Sequence, residues 1–110
     1  MAAKFEIYKD ASSKFRFRLK AGNGENILAS EAYESKDSCK NGVASVQTNS
    51  GDENRYETKT AKNGKVFFNL KAKNGQVIGS SQMYSSESGA KNGISSVVKN
   101  GSTDNVADLS

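Results

Sequence analysis

The chain is one sequence written twice. Displaced along itself by 51 residues, it meets itself without a gap. Glu6 falls on Glu57, Phe17 on Phe68, Leu19-Lys20-Ala21 on Leu70-Lys71-Ala72 and Asn23-Gly24 on Asn74-Gly75. Ser30 and Tyr33 fall on Ser81 and Tyr84, and Lys40-Asn41-Gly42 on Lys91-Asn92-Gly93. About 18 of the 46 positions aligned from residue 5 to residue 50 are identical. Two copies are too few for a solenoid. They point to one domain over residues 1–110 with internal pseudo-two-fold symmetry, repeat one covering about 4–53 and repeat two about 54–110. The length of 110 residues suits a single domain.

Each copy can be read once for both. In Lys14 to Lys20, Phe15, Phe17 and Leu19 alternate with Arg16, Arg18 and Lys20. A strand of a half-buried antiparallel sheet has that pattern. Phe5-Glu6-Ile7-Tyr8 alternates likewise, and a shorter strand is expected at Ile27 to Ser30 and Val77 to Ser81. Asn23-Gly24, Asn63-Gly64 and Asn74-Gly75 read as hairpin turns of type I′. The period then changes. Cys39, Gly42, Val43 and Val46 sit at i, i+3, i+4 and i+7, and Ala90, Gly93, Ile94 and Val97 repeat them. That spacing predicts one face of a helix in each copy. Ser35 and Ser86 stand at the N-cap positions, Gly51 and Gly101 at the C-cap positions. Gly42 and Gly93, poor helix formers on the apolar face, suggest close approach of helix to sheet. The fold class is α+β: tandem β-β-β-α(-β) units forming one antiparallel sheet, with two helices packed on one face.

Composition removes most chemistry. The chain has no His, no Pro, no Trp and one Cys. Without His there is no Ser-His-Asp or Cys-His pair, and one Cys gives neither an ordinary zinc site nor an internal disulfide. No metal, no cofactor and no catalytic residue is expected. Cys39 aligns with Ala90 and reads as a small buried hydrophobe. Mean hydropathy is −0.70 and the net charge +4, with no basic run. No stretch is long and apolar enough for a membrane span. The start, Met1-Ala2-Ala3-Lys4-Phe5, lacks the apolar core of a secretory signal, so a cytoplasmic location is expected.

Two elements together resemble a known family. One is Phe-x-Phe-x-Leu-Lys-Ala-x-Asn-Gly (Phe15 to Gly24, and Phe67 to Gly75 with Phe68 in the kept register). The other is Tyr-x-Ser followed by Lys-Asn-Gly-Val/Ile-x-Ser-Val (Tyr33 to Val46, Tyr84 to Val97). The chain resembles the YegP-like family of small bacterial proteins over nearly its whole length. The resemblance implies β-β-β-α-β units sharing one sheet, with the strands after the helices exchanged between units, and a self-sufficient monomer. The family is one of unknown function, so the resemblance carries over no activity and no site.

The remaining candidates are surfaces. By alternation, the sheet face away from the helices carries Glu6, Tyr8, Arg16, Arg18 and Lys20 in repeat one, and Glu57, Lys59, Phe67, Asn69 and Lys71 in repeat two. Tyr8, Arg16, Arg18, Lys20, Phe67 and Lys71 form the candidate binding surface, because arginine beside exposed aromatics can stack bases and follow phosphates. Without a ligand the same pattern is a solvated face with cross-strand ion pairs, such as Glu6 with Arg16 or Arg18. The copies differ most here, which argues against a symmetric surface. The trio Lys40-Asn41-Gly42, repeated as Lys91-Asn92-Gly93, could contact phosphate from a helix, or could simply pack its glycine and solvate the rest. Gly22-Asn23-Gly24 lacks the third glycine and the following helix of a dinucleotide loop. Glu6 and Glu57, one acid per copy on an open sheet, lack the pocket of a glycosidase pair. The expectation is a non-enzymatic binding or interaction module of unknown partner. The alternative is weak nucleic-acid binding through the basic outer face, and an enzyme stands last.

Overall fold

The computed structural model describes residues 3–110. In chain order it has β1 (Lys4–Lys9), β2 (Phe15–Lys20), β3 (Asn26–Ala29) and α1 (Lys36–Asn49). A short 3-10 turn (Glu53–Arg55) leads to β4 (Tyr56–Thr60), β5 (Val66–Lys71), β6 (Val77–Ser80), α2 (Glu87–Asn100) and β7 (Val106–Asp108). All strands lie in one sheet, ordered β4-β5-β6-β3-β2-β1-β7. The repeats join where β3 pairs with β6 through Ala29 and Ser80. Those residues are 51 apart, so the pseudo-two-fold axis passes between them.

Six strands are antiparallel, as the alternation requires, but β7 runs parallel to β1. The reason lies in the exchange. After α1 the chain crosses to β4, beside β5 of the second repeat. The segment after α2, which begins β7, aligns with the start of β4. By symmetry it belongs beside β2, but β1 already occupies that place. It therefore takes the outer side of β1.

Both helices cover one face and straddle the seam: α1 lies over β1, β2, β5 and β6, and α2 over β5 and β3. Phe5, Ile7, Phe17, Leu19, Leu28, Phe68 and Leu70 are buried beneath them with Cys39, Val43, Val46 and Val97. Each large side chain stabilises the fold by roughly 1.5–3 kcal/mol. Tyr33 stacks on Phe17 with ring centroids 6.3 Å apart, and Tyr84 on Phe68 at 6.2 Å. These tyrosines fill the space beside Gly42 and Gly93. A Cβ on Gly42 would lie 2.5 Å from the Tyr33 hydroxyl, and one on Gly93 would lie 2.9 Å from Phe68 Cε2. The glycines thus admit a ring rather than a neighbouring backbone.

The caps and turns refine the sequence reading. Ser35 Oγ accepts the Ser38 N–H and Ser86 Oγ the Gly89 N–H, as expected of N-caps. Ser50, not Gly51, caps the end of α1, and both Ser50 and Gly101 keep right-handed backbone angles. Gly101 is needed for space: a Cβ there would lie 2.5 Å from Ser50 Oγ. In the Asn-Gly turns only the glycine has positive φ, as at Gly24 (89°). The Gly24 N–H donates to Ala21 C=O, and the Ala21 N–H to Glu25 C=O. That is a type I turn closed by a glycine bulge, not type I′.

Candidate functional site

The outer face places Tyr8, Arg16, Arg18 and Lys20 on β1 and β2, and Phe67 and Lys71 on β5. Two strands, β3 and β6, separate the groups, so they form two patches roughly 15 Å apart. In the first, Glu6 is buried to 5% exposure. It accepts from Arg18 Nε at 2.7 Å, and Lys4 and Lys20 each lie 3.4 Å from it. The Arg18 hydrogen bond leads the causes that hold the Glu6 carboxyl below its ordinary pKa, against the opposing effect of burial. The Arg18 guanidinium also lies 4.4 Å from the Tyr8 ring centroid. Arg16 Nε donates to Asp10 at 2.8 Å. In the second patch, Lys71 and Lys59 sit 3.3 and 3.5 Å from Glu57, and Asn69 accepts the Ser80 hydroxyl at 2.7 Å. Phe67 is half-buried. Every arginine and lysine in the candidate set already faces a carboxylate.

The kept polar residues sort differently. Most have a structural task in both copies. Ser30 Oγ accepts the Phe17 N–H and Ser81 Oγ the Phe68 N–H, each at 2.9 Å. The Asn49 and Asn100 amides bond Ser45 and Ser96 one helical turn back. Asn23 and Asn74 accept the Glu25 and Gln76 N–H groups with Oδ1, which closes their turns. Lys40-Asn41 and Lys91-Asn92 have none: all four are exposed, and their side chains make no hydrogen bond or ion pair among the described residues.

The fold sets Asn41 and Asn92 each against a hairpin of the other repeat. Asn41, Gly42 and Ser45 on α1 face Ala72, Asn74 and Gln76 of the other repeat's hairpin, across a groove of about 220 Å³ also lined by Tyr33. Asn92, Ser95 and Ser96 on α2 face Ala21, Gly22 and Asn23 across a broader groove of about 560 Å³. Four linings coincide by repeat: Asn41 with Asn92, Ser45 with Ser96, Ala72 with Ala21, and Asn74 with Asn23. Each groove therefore exists only because the repeats pack together. The lining common to both carries two carboxamides, each able to donate and accept, while Glu31 adds a carboxylate to the first groove and Lys99 an ammonium to the second. The sequence marked Asn41 and Asn92 as repeated. It could not show that Asn74 and Asn23, 33 and 69 residues away, complete the same grooves.

Nothing in the grooves resembles a nucleophile with its base. Cys39 is fully buried, and desolvation pushes its thiol pKa up to about 11. Among the described residues, no group of three or more His, Cys, Asp or Glu is placed to hold a metal ion. Among the described residues, no helix is long and apolar enough to cross a membrane.

Comparison with known proteins agrees with this build. Residues 10–57 and 61–108 each match the family model described as a domain of unknown function, DUF1508. The chain is 57% identical over 108 residues to the UPF0339 protein YegP of Escherichia coli O157:H7, covering 98% of each. It is 53% identical over 109 residues to a UPF0339 protein of Shewanella oneidensis, covering 99% of each. Its fold matches the solution NMR structure of the protein of unknown function yegP from E. coli, with TM-score 0.93 and 56% identity over 99% of this chain and 94% of that one. The solution structure of the Shewanella oneidensis protein matches with TM-score 0.92 and 53% identity, over 99% and 92% of the two chains. None of these descriptions assigns an activity. With both repeats matched and relatives similar along nearly its full length, the chain belongs to the DUF1508 family as a tandem member.

Proposed function

We propose that the protein is a non-catalytic binding module that takes an uncharged, hydrogen-bonding ligand in its two repeat-related grooves. The observation that carries this reading is the identity of Asn41 and Asn92 in both repeats without an intramolecular task. Asparagine is a poorer helix former than alanine. Its retention at an exposed helical position in both copies is therefore not owed to the helix. A carboxamide presents a donor and an acceptor side by side, which suits amide or hydroxyl partners, and the single charges beside the grooves are opposite, Glu31 at one and Lys99 at the other, so no one ion suits both. The two repeats act as a single domain, and the chain functions as a cytoplasmic monomer with both grooves in one molecule.

The test is a 15N chemical-shift titration with three probes: an uncharged oligosaccharide, an uncharged pentapeptide and a single-stranded oligoribonucleotide. Saturable shifts at Asn41, Asn74, Asn92 and Asn23 with an uncharged probe support the reading. Shifts confined to Arg16, Arg18 and Lys20 with the oligonucleotide, weakening with salt, would favour the outer face instead. The ion pairs at Glu6, Asp10 and Glu57 count against that second reading, since phosphate must first displace a carboxylate.

A further inference from the structure

The two outer edges of the sheet are built alike but covered differently. Beside β1 lies β7, in parallel register: Phe5 with Val106, Glu6 with Ala107, Ile7 with Asp108. The Phe5 N–H donates to Asn105 C=O at 2.9 Å, and the Leu109 N–H to Ile7 C=O at 2.7 Å. Phe5 and Ile7 thus turn their backbone groups toward the edge. Val106 and Asp108 face α1, and with Ile7, Lys40, Val43 and Gln47 they line a cavity of about 380 Å³. Lys36, in the first turn of α1, reaches Asp108 at 3.0 Å. Under this cover Val43 is 4% exposed.

The other edge has the frame without the cover. Thr58 stands opposite Phe68 as Ile7 stands opposite Phe17, so Thr58 turns its N–H and C=O outward. Among the described residues no strand pairs with them. Ile94, the counterpart of Val43, is only half-buried, and Val98 replaces Gln47. Lys59 is the one basic residue of β4, and it is paired with Glu57, 3.5 Å away. The strand has no proline and no bulge of the kind that closes an edge. Glu87 occupies the place of Lys36 and makes no ion pair among the described residues.

We propose that the β4 edge accepts an extended basic peptide as an eighth strand, parallel to β4 and in the register that β7 holds on β1. The guest sets an apolar side chain over Ile94 and Val98 and, two residues on, a lysine or arginine toward Glu87. The Tyr56 N–H is already bonded to Glu53 C=O, so the guest's ladder starts at the Tyr56 carbonyl and continues through both backbone groups of Thr58. The backbone ladder supplies affinity and the helix-facing side chains supply selection, as in strand addition generally. Lys91 keeps the place of Lys40, so the exchange of Lys36 for Glu87 turns two helix cations into a cation and a carboxylate: a copy of the chain's own terminal strand would bring an aspartate against a glutamate where Asp108 meets Lys36.

The test is a 15N titration of the full chain with the peptide Asn-Val-Ala-Lys-Leu-Ser and its acidic counterpart Asn-Val-Ala-Asp-Leu-Ser. The expected result is saturable shifts at Thr58, Glu87 and Ile94, with the basic peptide binding about tenfold more tightly. Glu87→Lys, a surface change that leaves the core intact, should reverse the preference. The proposal fails if neither peptide moves these signals at millimolar concentration, or if Glu87→Lys leaves the preference unchanged. It fails equally if the shifts fall on Phe5 to Lys9, which means displacement of β7. Shifts at Thr58 on changing protein concentration alone would also overturn it, by placing a second copy of the chain on the edge.

Discussion

Leu28 and Gly79, one repeat apart, touch across the pseudo-two-fold axis: a Cβ on Gly79 would lie 2.8 Å from both Leu28 Cγ and Cδ2. Ser50 and Gly101 stand in the same relation at the ends of the helices. At a self-contact on a two-fold axis, one residue type must fit against itself. Duplication within one chain lifts that requirement, and both pairs have resolved into a larger residue facing a glycine. Gly79→Leu alone should overpack the seam and cost roughly 1–3 kcal/mol. Leu28→Gly alone should leave a cavity costing roughly 3–5 kcal/mol. The exchanged double variant should recover most of both losses, because the seam again holds one leucine. Urea denaturation of the four proteins checks this, and strictly additive losses would contradict it.

Gly42 and Gly93 make the same kind of demand in each half. Gly42→Ala places a methyl against the Tyr33 hydroxyl and Phe17, and Gly93→Leu drives a larger group into Tyr84 and Phe68. We expect the first to lower stability by about 1–3 kcal/mol, despite the gain in helix propensity, and the second by more. An unchanged melting temperature for Gly93→Leu would refute the packing account. Trimming the hydroxyl with Tyr33→Phe should recover part of the Gly42→Ala loss, since Tyr33 Cζ and Phe17 Cε2 remain within 2.9 Å.

The buried Glu6 makes stability depend on pH in a defined direction. Its folded pKa lies below its ordinary value, first because Arg18 bonds the carboxylate. The stabilisation is thus fully present above the unfolded pKa, about 4.3, and is lost as pH falls through the lower folded value. Glu6→Gln should therefore be less stable than wild type at pH 7, by about 1–2 kcal/mol. The gap should close as the pH drops below about 4. Parallel acid-denaturation curves for the two proteins would rule out a stabilising carboxylate.

What the sequence disclosed divides by range. Alternation in Phe15 to Lys20 and the four-residue spacing of Cys39, Val43 and Val46 are local, so the strands, helices and N-caps were readable. A cross-strand pair of Glu6 with Arg16 or Arg18 was readable too, and the hairpin register selects Arg18. Contacts across the axis were not. The fit of Leu28 over Gly79, the parallel run of β7 and the meeting of Asn41 with Asn74 depend on how one repeat is laid on the other, and no local pattern encodes that. Tyr33 shows the intermediate case. Its recurrence at Tyr84 was visible, but its place over Gly42 needs the helix and the preceding loop together. The outer-face set of Tyr8, Arg16, Arg18, Lys20, Phe67 and Lys71 was read from alternation, which could not reveal that Asp10 takes Arg16 or that β3 and β6 part the set into two patches.

The central claim is that Asn41 and Asn92 are retained for binding and not for folding, and the most direct measurement is the unfolding free energy of the double variant Asn41→Ala, Asn92→Ala. Both side chains are exposed and make no bond among the described residues, and alanine is the better helix former. The expected stability equals that of wild type or exceeds it by up to about 1 kcal/mol. A loss of more than about 1 kcal/mol per site would show that the two asparagines hold the fold together, and would contradict the account.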